Sequence, residues 1–85
     1  MQFEVEAVLA NVGSGVVLAR QTEAGDFHLR ETSSLGGAAI HPHVSAPRAL
    51  TPAGAARTDL FAFALRSRND LGAFSVGQLV ELAES

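Results

Sequence analysis

Apolar and polar residues alternate with a period of two at the start of the chain. Over residues 3–9 the odd positions are apolar, and both glutamates stand at even positions. Successive side chains of a β-strand point to opposite faces, so this pattern predicts a half-buried strand. Strict alternation places Ala7 and Leu9 on the same face as Phe3 and Val5.

Two further strands are predicted to follow in a meander. Residues 11–15 read Asn-Val-Gly-Ser-Gly, a cluster typical of a tight turn, and the apolar run Val-Val-Leu-Ala begins at Val16. The two segments therefore predict an antiparallel hairpin. After a turn at residues 23–26 the alternation returns, with Phe27 and Leu29 expected inside and His28 outside. We expect a three-stranded meander between residues 2 and 32.

The middle of the chain, residues 32–57, contains all three prolines of the sequence. Proline interrupts helices, so a long helix is excluded here. The segment still allows short edge strands, which we place at residues 38–40 and 48–50. The rest is expected to be loop.

The apolar run at residues 58–66 is compatible with two structures. As a strand, it directs Phe61, Phe63 and Leu65 to the core, where Phe63 would meet Phe3. As a helix, it begins at a capping Thr or Asp and has a stripe of Leu, Phe and Ala. Residues 67–70 predict a turn, with one 3₁₀ turn that extends to residue 71. The final apolar segment, residues 76–83, has the same ambiguity, although its Gly and Val favour a strand.

The amino-acid composition excludes several classes of function for this protein. The 85 residues are expected to form one domain, and their 47% apolar content is normal for a globular protein. There is no cysteine, which excludes disulfides and thiolate chemistry. We expect no signal peptide and no membrane span, because a spanning helix needs about 20 apolar residues. A cytoplasmic location is the resulting expectation.

The order of these features resembles domain 2 of the translational GTPases, the small β-barrel of elongation factor Tu and its relatives. Phe-x-Val at residues 3–5, a glycine loop, and an apolar strand that ends at Arg20 look like the opening of that domain. An apolar strand at residues 60–66, a polar turn, and Gly-Gln-Leu-Val at residues 77–80 look like its close. One departure is Ala19, where the family commonly has glycine before the arginine.

This resemblance implies an all-β fold, a closed or partly open barrel of about six strands. The alternative from the residues alone is an α+β fold with a helix near residues 58–68. The resemblance also implies a binding module, because in the factors this domain contacts the GTPase domain and RNA ligands. It implies no GTP hydrolysis, since Gly13-Ser14-Gly15 lacks the Lys and Thr/Ser of a phosphate loop.

His41-Pro42-His43 is the one histidine cluster in the sequence. Two imidazoles at i and i+2 can bind one metal ion from an extended backbone, but a third ligand is required. His28 or Glu31 would have to supply this ligand, and the spacing in the sequence does not indicate that either residue lies near His41 and His43. A small metal-dependent protein built on His41 and His43 is therefore an alternative hypothesis, and an exposed loop shaped by proline is the favoured interpretation.

Other groups of residues are weaker candidates for a catalytic site. Residues 13–15 are too short for a Gly-x-Ser-x-Gly nucleophile elbow. Glu4 and Glu6 share a strand face, where paired carboxylates sometimes perform acid–base chemistry, but a solvated face is the more common role. We therefore expect no enzymatic activity and no cofactor.

Arginine supplies all six basic residues, and the net charge is −3. Arg48, Arg66 and Arg68 are the predicted binding residues, because guanidinium groups recognise carboxylates and phosphates with two parallel hydrogen bonds. The leading hypothesis is a non-enzymatic barrel that binds a protein partner. A barrel that binds RNA or another nucleic acid through its scattered arginines is the alternative, and pairing of edge strands would make a homo-oligomer.

Overall fold

A computed structural model describes residues 1–46, 54 and 59–84 of the chain. Within these residues the backbone forms a closed antiparallel barrel with the strand order β1-β2-β5-β4-β3-β6. The strands are β1 (Gln2–Leu9), β2 (Val16–Gln21), β3 (Ser34–Leu35), β4 (Ala38–Ser45), β5 (Leu60–Leu65) and β6 (Leu79–Ala83). The all-β prediction is confirmed.

Leu60–Leu65 is a strand, so the helix alternative for this region is wrong. After β5, a 3₁₀ helix extends from Arg68 to Ala73, two residues beyond the predicted turn. The Ser67 hydroxyl caps it by accepting a hydrogen bond from the backbone N–H of Asn69. Cross-strand pairing explains why residues 60–65 form a strand and not a helix, because β5 lies between β2 and β4 and pairs with both.

The predicted meander is only partly correct. β1 and β2 form the expected hairpin, but residues 26–30 form no strand. Their side chains do alternate, with Phe27 and Leu29 half-buried against the core and His28 exposed. The third strand along the chain is instead β3, which turns into β4 through Gly36 and Gly37. Both glycines have positive φ, the backbone that a two-residue hairpin turn requires.

Two irregularities change the faces that simple alternation predicts. The register of β1 against β2 shifts between Val5 and Ala7, so Val8 packs against the core and Leu9 is exposed. The assignment of Ala7 and Leu9 to the Phe3 face is therefore wrong, because the extra residue of a bulge reverses the alternation after it.

The second irregularity lies in β4, which continues five residues past the predicted end at residue 40. Its register against β5 shifts between Ile40 and Val44, so that residues 41–43 lie opposite a single residue. Pro42 is at the centre of this bulge. A proline donates no backbone hydrogen bond, and a bulge is a position in a sheet where it is tolerated. The strand predicted at residues 48–50 lies outside the described residues.

The core fills the barrel with side chains from every strand. Phe63 is fully buried, as predicted, and its ring meets that of Phe3 with centroids 5.1 Å apart. Phe27 packs edge-on against Phe3 at 5.4 Å. The cluster of buried residues comprises Phe3, Val5, Val17, Ala19, Leu35, Ala38, Ile40, Phe63, Leu65, Phe74, Val80 and Leu82.

Candidate functional site

An apolar groove lies on the outer surface of the barrel over β5. Its floor is formed by Ala62 and Ala64, and β2 supplies Val16 and Leu18 along one side. Val16 pairs directly with Ala64 and Leu18 with Ala62, so all four side chains face outwards together. The groove has a volume of about 440 Å³. It is concave because two alanines stand between larger side chains.

β4 forms the opposite side of the groove with residues 43–45, and Leu9 and Val12 line it from the β1–β2 hairpin. Large aliphatic side chains are therefore left in contact with water, with Leu9 at 39% exposure, Val12 at 50% and Val44 at 37%. None of the described residues that line the groove is Asp, Glu or Arg. Its surface is almost entirely aliphatic.

The two bulges help to form this surface. The bulge in β1 places Leu9 opposite Val16, on the outer face. The bulge in β4 precedes Val44, which pairs with Phe63 and lies beside the groove. Without the extra residues, strict alternation would direct Leu9 to the interior. The groove therefore depends on where the bulges fall as well as on the apolar residues themselves.

A half-exposed ion cluster borders the groove on the β1–β2 face. Arg20 donates a hydrogen bond from Nη2 to Glu4 Oε1 at 3.0 Å, and its Nε lies 3.8 Å from Glu6 Oε2. The expectation that Glu4 and Glu6 share a face is confirmed by their contacts with one guanidinium group. Arg20 is two residues from Leu18 on the same face of β2, about 7 Å along the strand.

Two of the three predicted binding arginines, Arg66 and Arg68, are held by backbone carbonyls. Arg66 donates from Nε to the carbonyl of Ile40 at 3.0 Å and from Nη2 to that of Glu31 at 3.3 Å. Arg68 donates from Nη2 to the carbonyl of Ala10 at 2.7 Å. The two side chains therefore join different segments of the barrel.

Arg68 also lies 3.4 Å from the carbonyl of Gly13, so it bridges both ends of the β1–β2 turn. Arg48, the third predicted binding residue, lies outside the described residues. The assignment of these three arginines to ligand binding remains a prediction.

The histidine cluster occupies the β4 bulge. His41 is half-buried, whereas His43 is exposed and lines the groove. His28 is on the separate segment that leads towards β3. Among the described residues, no group of three or more His, Cys, Asp or Glu side chains is arranged to hold a metal ion.

One ionisable group outside the groove has a shifted pKa. The amino group of Met1 donates a hydrogen bond to Glu81 at 2.9 Å. This bond, with the negative charge of the Glu81 carboxylate, raises the pKa of the amino group above its ordinary value of 8.0. The contact joins the start of the chain to β6.

On the strand interpretation, alternation directs Ala62 and Ala64 away from the face of Phe63, towards a second layer, but it does not predict the groove. Its formation requires the register that places Val16 and Leu18 beside them, and alternation within one segment carries no information about register. The signal that was available is the pair of small residues at i and i+2 within an otherwise bulky strand.

Comparisons of the chain with known protein families, curated proteins and solved structures found no match. Within the described part of the chain, no helix has the length and apolar character needed to cross a membrane.

Proposed function

We propose that this protein is a non-enzymatic binding barrel whose groove receives apolar side chains of a protein partner. The observation that carries the proposal is the aliphatic concave surface over Ala62 and Ala64. Concave surfaces lined mainly by hydrophobic side chains are the usual form of a binding site. The resemblance to domain 2 of the translational GTPases supports the same class of function, since that domain binds other macromolecules.

Burial of apolar side chains in the groove would contribute favourable free energy to binding. Three lining side chains are more than one-third exposed to water: Leu9, Val12 and Val44. A bound partner would remove their apolar surface from water. Full burial of one aliphatic side chain of the partner contributes about 1.5–3 kcal/mol. One or two such side chains would therefore dominate the affinity, as anchors do at other protein interfaces.

The shape of the groove favours a different polypeptide over a second copy of this chain. A two-fold dimer pairs a surface patch with itself. Two grooves placed face to face would enclose a void, and the lining atoms would lose their dispersion contacts across it. A protruding side chain from another protein fills the same space.

Nucleic-acid binding receives less support. The guanidinium groups of Arg66 and Arg68 bond to backbone carbonyls. A phosphate would have to compete with these bonds, and the net charge of −3 opposes it at long range. The lining of the groove is mainly aliphatic and contains no Phe, Tyr or Trp ring on which a base could stack.

The test begins with selection of a random peptide library displayed on phage against the immobilised wild-type protein. Binding of the selected peptides is then measured on the double variant Ala62→Val with Ala64→Val, which fills the groove with valine methyl groups. The matched control is Ala39→Val with Ala83→Val, which adds the same atoms at two exposed positions of β4 and β6.

Filling the groove is expected to weaken peptide binding about 10-fold or more, because an anchoring side chain loses its burial. The control should change binding less than about 2-fold, and both variants should retain the wild-type circular dichroism spectrum because valine favours strands. Equal binding to all three proteins would contradict the proposal. Failure to select any peptide, with tight binding of single-stranded oligonucleotides, would favour the nucleic-acid alternative.

A further inference from the structure

The ion cluster beside the groove suggests the charge of the partner. Glu4, Glu6 and Arg20 have side chains exposed by 37%, 32% and 37%, so each is open to a ligand on the outer face. The single guanidinium group of Arg20 contacts the carboxylates of both Glu4 and Glu6, so its charge is not reserved for Glu4. The carboxylate of Glu4 retains acceptor capacity beyond the one hydrogen bond from Nη2.

An exposed apolar side chain lies on the other side of Glu4. Leu79 pairs directly with Glu4 across β1 and β6 and is 56% exposed. Val76, in the turn before β6, is 72% exposed. Glu4 therefore lies between the exposed side chain of Leu79 and Arg20, on the row of paired residues that borders the groove.

A partner that extends from the groove towards Leu79 must cover Glu4. Removal of water from a carboxylate is unfavourable unless an opposite charge or a hydrogen-bond donor replaces the water. A basic side chain of the partner would supply both. The net charge of −3 would in addition attract a cationic partner during its approach.

We infer that the partner segment carries a lysine or arginine next to its apolar anchors, and that this basic side chain binds Glu4. The inference rests on the proposed function of the groove. It deepens that function by giving the ligand a chemical class, an apolar and basic polypeptide segment.

The experiment uses the phage-displayed random library and the full chain. Peptides selected on the wild-type protein are sequenced, and their affinities are measured by fluorescence polarisation on Glu4→Gln and Glu31→Gln. Both substitutions remove one negative charge from an exposed region. Glu31 lies in the turn before β3, two strands away from β5 around the barrel, so Glu31→Gln controls for net charge.

The inference predicts peptides in which Lys or Arg is enriched beside two or more aliphatic or aromatic residues. Glu4→Gln should weaken their binding by about 2- to 5-fold, the range for a half-exposed ion pair, and Glu31→Gln should leave it unchanged. High salt should reduce the difference between the two variants.

Two results would overturn the inference, and they are distinguishable. Peptides that depend on an open groove but lack basic residues, or that bind Glu4→Gln and Glu31→Gln equally, would refute the role of Glu4 and leave the proposed function intact. Peptides that bind the groove-filled double variant as tightly as the wild type would refute both.

Discussion

Replacement of Phe63 by alanine removes the ring at the centre of the barrel core. The side chain is fully buried and lies 5.1 Å from the ring of Phe3 and 6.2 Å from that of Phe27, centroid to centroid. The substitution loses the transfer free energy of the ring and leaves a cavity, together about 3–5 kcal/mol. Because the edge-to-face contact with Phe3 is lost as well, we expect the total cost to lie near the upper end of that range.

This loss is large compared with the total stability. A domain of 85 residues has a free energy of unfolding of about 4–13 kcal/mol. The slope of the unfolding free energy against urea is about 1 kcal/mol per M at the low end for small proteins, so a loss of about 3–5 kcal/mol should lower the midpoint by roughly 3–5 M. Because the chain has no Trp or Tyr, far-UV circular dichroism is the suitable signal for the urea titration.

Two companion variants keep the result interpretable. Phe63→Leu retains most of the volume and should cost about 1–1.5 kcal/mol, so it remains measurable even if Phe63→Ala is unfolded in water. His28→Ala, at an exposed position that points away from Phe27, should cost less than about 1 kcal/mol. A urea midpoint that is unchanged in Phe63→Ala would refute the assignment of this ring to the core.

Two further predictions concern the ends of the barrel. Gly15→Ala should cost at least about 2 kcal/mol in urea unfolding, because φ is +113° and a Cβ atom would meet Leu71 Cδ2 and lie 2.8 Å from its Cγ. Gly13→Ala, with φ of +55° and open space, should cost about 1 kcal/mol, and equal losses would contradict the Leu71 clash. Glu81→Gln should lower the pKa of the Met1 amino group towards 8.0 in an NMR titration. Because the pKa of this amino group is raised in the folded protein, its contact with Glu81 stabilises the fold below pH 8, and this stabilisation is lost as the pH rises through the folded pKa. A pKa that is unchanged in Glu81→Gln would refute the contact.

The strands that alternation predicts best are those with a glycine turn and a partner next to them in sequence. β1 and β2 satisfy both conditions, and the hairpin was predicted from residues 3–9, the turn and Val16. Residues 26–30 show the limit of this reasoning. Phe27 and Leu29 alternate with exposed residues because they pack onto the core cluster, but their backbone forms no strand ladder.

The β3–β4 hairpin shows a signal that sequence reasoning overlooked. Gly36-Gly37 is a two-residue turn signature, and it indicates strands on both sides. Pro42 concealed the length of β4, since proline normally ends a strand, and only the bulge accommodates it. A bulge leaves no periodic pattern in the sequence, so the exposure of Leu9 could not be predicted either.

The candidate groove depends on relations between strands that are distant in sequence. Val16 and Ala64 are neighbours only because β2 pairs with β5. The arginines, by contrast, are conspicuous in the sequence, but the bonds of Arg66 and Arg68 to carbonyls depend on loop positions that the sequence does not reveal.

The most direct measurement of the groove's function is a map of amide chemical shifts in the ¹⁵N-labelled protein during titration with a selected peptide. If the account is correct, the largest changes occur at Leu9, residues 16–18 and residues 62–64, and they are absent in the groove-filled double variant. Changes centred instead on Arg66 and Arg68, or on residues 26–31, would contradict it.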